Sequence, residues 1–189
     1  MPNRKKNKYS SILRALTCSL FISLCLIPTL AEGKEVYQEP AEFIKEVFGG
    51  QSPKPSMLAI IGERRKKVSE ILDHPPSMLR TRYWREGSRS AWILEEIGKT
   101  KPITVGIVVD KSQIEDIRVL IYRESHGAEV RHSFFTQQFA GVKLDEETRL
   151  TETIDGISGA TLSVYALKKL ATLALYFDSE IRSKDEPTK

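Results

Sequence analysis

Cysteine is nearly missing from this chain. The 189 residues include two, Cys18 and Cys25, and both lie within the first 31. Beyond that point disulfides, thiolate nucleophiles, iron–sulfur clusters and thioether-held haem are excluded. Further absences narrow the chemistry. There is no G-x-G-x-x-G fingerprint of a dinucleotide fold, no G-x-S-x-G nucleophile elbow and no His/Glu grouping at metal-ligand spacing. An uninterrupted apolar run of the roughly twenty residues that span a bilayer is missing too.

A broad basic balance is also lacking, despite a formal charge of +4. The excess sits in the first 31 residues, where Arg4, Lys5, Lys6, Lys8 and Arg14 meet no acidic group. Without those five, the 29 basic residues fall to 24, against 25 acidic ones. A near-neutral body has no electrostatic footprint for DNA or RNA, so no nucleic-acid partner is expected.

Residues 1–31 have the layout of an export signal. A basic stretch precedes an apolar run from Ala15 to Ile27, and Thr29 and Ala31 stand at the −3 and −1 positions of a cleavage site. The segment is expected to be a signal peptide, or an anchor if it is kept. Either way the body would work outside the cytoplasm, in the periplasm or at the outer face of a bacterial inner membrane.

The body suits one domain with an extension. Residues 32–78 read as an N-terminal helical extension. One short amphipathic helix follows Pro40 and stops at Gly49-Gly50. A second is expected over MLAIIGERRKKVSEILDH, with Arg64–Lys67 as a solvated face. Residues 79–180 read as the main domain. TRYWREG and RSAWILEEI form a hairpin about Gly87-Ser88, with Trp84 and Trp92 as core or sheet-face residues. Ile103, Val105, Ile107 and Val109 alternate, as do Ile117, Val119 and Ile121, which predicts an antiparallel pair joined by a polar connection over 110–116. RHSFFTQQFAG reads as a short helix closed by Gly141. The last helix runs from Leu162 to about Phe177 with Leu162, Val164, Ala166, Leu167, Leu170, Ala171, Leu173 and Ala174 facing the core. Residues 181–189 read as a charged tail. The fold class is α+β: a twisted antiparallel sheet against a C-terminal helix, with N-terminal helices.

One junction stands out. DGISGAT, Asp155 to Thr161, leads directly into the last helix. A first helical turn has unpartnered N–H groups and a partial positive charge, so it suits a phosphate. Gly159 and Ala160 let a ligand approach the backbone. Gly156 permits a sharp turn, and Ser158 and Thr161 add hydroxyls. Asp155 would repel an anion; it suits a turn-fixing acceptor, or a group that matters when Thr161 is modified. The plainer alternative is that Asp155 or Ser158 merely caps the helix. The full pattern, Asp, two free positions, Ser or Thr, then Gly-Ala-Thr, should arise by chance in roughly one in ten thousand chains of this length.

DGISGAT resembles the flavinylation motif of the FMN-binding domain family. That family includes the C subunit of sodium-translocating NADH:quinone reductase and the G subunit of the Rnf complex. In it a flavin transferase uses FAD to attach FMN, through a phosphoester, to the last threonine of the motif. The resemblance implies Thr161 as the attachment residue, with Asp155, Ser158, Gly159 and Ala160 at the other fixed positions. It extends upstream across about 100–177, through ITVGIVV, IEDIRVL, RESHGAE and QQFAG. Glu124, Ser125 and Gly127 fall on a loop similar to E-T-P-G-L-G, and Phe139 and Gly141 on a Q-F-x-G element. The loop departs from the pattern at His126, in a common proline position, and at Glu129, in place of a glycine. His126 reads as a loop residue.

The resemblance implies covalent FMN, a flavin transferase for maturation, and a membrane oxidoreductase or other redox protein as partner. A phosphoester needs only a hydroxyl, which suits a body without cysteine. Three readings stand. The first is an exported carrier with FMN on Thr161. The second is a small extracytoplasmic flavin reductase of a soluble acceptor. The third is an envelope binding module whose SGAT is a cap. Turnover by the isolated protein would separate the first two, and colour would separate both from the third.

Overall fold

A computed structural model describes residues 34–184. The expected signal or anchor, residues 1–31, lies outside the described residues, as does the end of the charged tail. The core is one antiparallel sheet of six strands: β1 (Glu35–Val36), β2 (Ser56–Ala59), β3 (Arg80–Glu86), β4 (Arg89–Ile97), β5 (Pro102–Asp110) and β6 (Gln113–Tyr122). Their order across the sheet is β1-β6-β5-β4-β3-β2. Four helices accompany them: α1 (Pro40–Val47), α2 (Gly62–Leu72), α3 (Ser133–Thr136) and α4 (Thr161–Arg182). The fold is α+β, with α4 packed on the sheet, as the sequence predicts. Among the described residues no helix is long and apolar enough to cross a membrane.

Turn chemistry explains the hairpins. Gly87 takes φ +57 in the two-residue link between β3 and β4. Lys111 and Ser112 link β5 to β6, with φ of +49 and +64. Two left-handed residues match the twist of the flanking strands. That connection is shorter than the 110–116 stretch expected, because Gln113 and Glu115 alternate with buried Ile114 at the start of β6, and a register shift opposite Val108/Val109 leaves Glu115 as an extra residue before Asp116. Alternation lets a strand carry polar side chains on one face.

The sheet is covered on both faces. One face carries α4 and α2 over a core that includes Trp92, Ile103, Val105, Ile107, Leu167, Leu170 and Phe177. The other carries α1, where Phe43, Ile44 and Phe48 meet Ala91, Val108, Leu120 and Ile121. Gly106 is what admits α1: a Cβ there would lie 2.6 Å from the Phe43 ring. Burial on both faces explains the run of hydrophobic residues through β5, Ile103 to Val109.

Three expectations need correction. Residues 56–59 are a strand, and the second helix begins only at Gly62, whose φ of +56 breaks the path between them. Residues 32–78 thus supply both edge strands of the sheet as well as helices. Second, the basic run is not simply a solvated face. Arg64 pairs with Glu180 of α4 and donates to the Ala59 carbonyl at 2.6 Å, while Arg65 donates to the Pro76 carbonyl at 3.0 Å. Third, α4 continues to Arg182, and Leu162 is half exposed rather than inward. The extension is held by a buried polar cluster. Asp178 is wholly buried; it accepts from Ser90 Oγ at 2.6 Å and from Arg182 Nε at 2.5 Å, and Ser90 Oγ accepts the Trp92 indole N–H at 3.0 Å.

Candidate functional site

The motif ends where α4 begins. Ala160 is the N-cap and Thr161 the first helical residue, and no side chain caps this terminus. Neither Asp155 nor Ser158 acts as the cap. The segment ahead is fixed by the backbone: the Asp155 N–H donates to Gln138 Oε1 at 2.7 Å, and the Ala160 N–H donates to the Ile157 carbonyl at 3.0 Å. Gly159 takes φ +82, which sets the last turn before the helix. Free first-turn N–H groups and a positive dipole end therefore meet beside an exposed Thr161 hydroxyl.

A cleft of about 570 Å³ opens at this point. Gly159 and Ala160 line it from the turn before α4, Thr161, Leu162 and Ser163 from the first turn of α4, Glu124, Ser125 and His126 from the loop after β6, and Lys99 and Thr100 from the turn between β4 and β5. Of the residues predicted from the sequence, Thr161, Ala160, Gly159, Glu124 and Ser125 share this cleft. Asp155 and Ser158 are exposed and lie outside its lining, and Gly127 is buried beneath it. Asp155 does not fix the turn with its carboxylate, since its backbone N–H does that work.

Glu124 also braces the backbone around the cleft. Its Oε1 accepts the N–H groups of Lys99 at 2.6 Å, Thr100 at 2.5 Å and Lys101 at 2.8 Å, and its Oε2 accepts the Thr100 hydroxyl at 3.1 Å. Burial pushes this carboxyl up, but those N–H groups outweigh it and hold it below the ordinary glutamate range. Glu124 shapes one wall of the cleft by pinning the turn.

Two residues that sequence reasoning missed pin the other wall. Tyr122, at the end of β6, is buried and donates its hydroxyl to the His126 carbonyl at 2.5 Å. Having used its proton, it accepts from the Ser163 hydroxyl at 2.8 Å. Burial, opposed by the Ser163 bond, pushes the Tyr122 phenol up, which keeps it a donor. Gly127 fits between them at φ +91, where a Cβ would come within 2.8 Å of Ser163 Oγ and 2.9 Å of Tyr122 Oη. One phenol thus ties strand, loop and helix together.

Such a cradle fits a phosphate-bearing ligand: an open hydroxyl, an uncapped helix end, a glycine turn and a braced loop. Leu162 and Tyr165, 49% and 55% exposed, add apolar surface on α4 next to it. Comparison with curated proteins gave no match to this chain. Comparison with protein families did: residues 98–176, from the turn that Glu124 pins to most of α4, match the model of the FMN-binding domain.

Proposed function

We propose that this is an exported electron-transfer flavoprotein with FMN covalently attached to Thr161. The observation that carries the reading is the exposed Thr161 hydroxyl at the uncapped start of α4, inside the stretch that matches the FMN-binding domain. A transferase would break the pyrophosphate of FAD and form a bond from Thr161 Oγ1 to the FMN phosphorus. AMP would leave, and the hydroxyl would lose its proton. The exposed Asp155 carboxylate, six residues ahead, is open to the transferase or its counter-ions.

Bound FMN supplies the redox chemistry. The chain supplies position. The first turn of α4 meets the phosphate, the 124–127 loop sets the cleft, and the Tyr122–Ser163 pair holds loop to helix. Electrons would come from a membrane oxidoreductase or another redox protein and pass on to a second one. The basic, apolar N-terminal segment supports export to the periplasm or the outer membrane face.

Intact mass of the protein made beside a flavin transferase tests this. Wild type should be heavier by one FMN less one water, and Thr161→Ala should not. Equal masses, both without flavin, would overturn the covalent reading.

A further inference from the structure

Thr161 and Lys99 sit at opposite ends of one short loop. At its start, Glu124 binds the backbone N–H groups of Lys99, Thr100 and Lys101. At its end, Gly127 packs against Ala160 and Ser163. Thr161 and Lys99 line the same cleft, and Lys99 is the one lysine or arginine among its lining residues. The acidic group there is already occupied, since Glu124 accepts four hydrogen bonds from the turn. Lys99 gives that carboxylate its backbone N–H, and its ammonium has no ion pair among the described residues.

We infer that Lys99 sets the reduction potential of the flavin: as the cation of the cleft lining, it would favour the reduced, more negatively charged form of FMN. This rests on the proposed attachment at Thr161. Four hydrogen bonds hold the turn, so the backbone that carries Lys99 is fixed at the cleft wall before a ligand arrives. Lys99 is exposed, and replacing it leaves the core untouched.

The test is a redox titration of the FMN-loaded protein as wild type, Lys99→Gln and Lys99→Arg, with flavin content equalised by intact mass. Lys99→Gln should lose roughly tenfold in preference for the reduced form, about 30 mV more negative for a two-electron couple. Lys99→Arg should stay close to wild type. An unmoved potential in Lys99→Gln overturns the inference. FMN and riboflavin affinities in a Thr161→Ala background add a second arm. A loss for FMN alone, with the potential unmoved, would assign Lys99 to the phosphate and overturn it as well. Failure of the wild type to take flavin at all would sink the attachment reading and this one together, whereas normal loading with an unmoved potential sinks this one alone.

Discussion

Gly127 carries the tightest constraint in the cleft. Its left-handed φ and its contacts with Ser163 Oγ and Tyr122 Oη leave no room for a side chain. Gly127→Ala should therefore push the loop off α4, at a cost of about 1–3 kcal/mol, and reduce flavin loading. Denaturation midpoints and flavin-to-protein ratios would show both effects; wild-type values for the two would contradict the packing argument. Tyr122→Phe is a gentler probe of the same joint. It keeps the buried ring but leaves the His126 carbonyl without its donor, which should cost about 1–3 kcal/mol. These two positions explain what stayed hidden in the sequence. Tyr122 ends an alternating strand, and Ser163 sits in an apolar helix; nothing in either pattern marks a pair 41 residues apart. Glu124 was legible as a site residue by motif, but its role as a turn anchor depends on N–H groups some 25 residues upstream.

Elements were readable where periodicity and turn signals agreed. The β3–β4 and β5–β6 hairpins, α1 and most of α4 follow from alternation, glycine and proline. β2 was not readable, because MLAI followed by a charged run has the look of a helix, and only pairing with β3 makes it an edge strand. The end of α4 was missed because Asp178 and Arg182 resemble a solvated tail until Ser90 supplies their partner. The segment after α2 is held to β4 by His74, whose Nε2 lies 2.9 Å from Glu96 Oε1. That bond, and then the Pro75 carbonyl, push the His74 imidazole above its ordinary value. A raised folded value means its contribution is complete below about pH 6.5 and is lost as pH climbs through the folded value. The stability gap between wild type and His74→Gln should therefore narrow on the alkaline side; a gap that is flat from pH 5 to 8.5 would count against this account. On the opposite face, Gly106→Ala should dislodge Phe43 and destabilise α1, which hydrogen exchange in residues 40–48 would report. Unchanged exchange there would show that the ring can shift freely.

At the scale of the whole molecule, the six strands and α4 make a rigid support that brings one turn, one loop and one helix end to a single cleft. The family match begins after β4, so β1, β2, β3 and β4 lie outside it in sequence yet complete the same sheet. Removing residues 34–60 should expose β6, β3 and the α1 face, so the shortened chain is expected to aggregate or lose flavin even with the motif intact; a soluble, fully loaded fragment would show the extension to be dispensable. The central claim is narrower and can be tested directly. The tryptic peptide from Leu150 to Lys168 holds Thr151, Thr153, Ser158, Thr161 and Ser163, so several hydroxyls compete for the flavin. Fragmentation of that peptide from flavin-loaded protein should place the added FMN on Thr161, because Thr161 alone joins an exposed hydroxyl to the cleft at the start of α4. Flavin on any other residue, or a peptide of unmodified mass, would contradict the account.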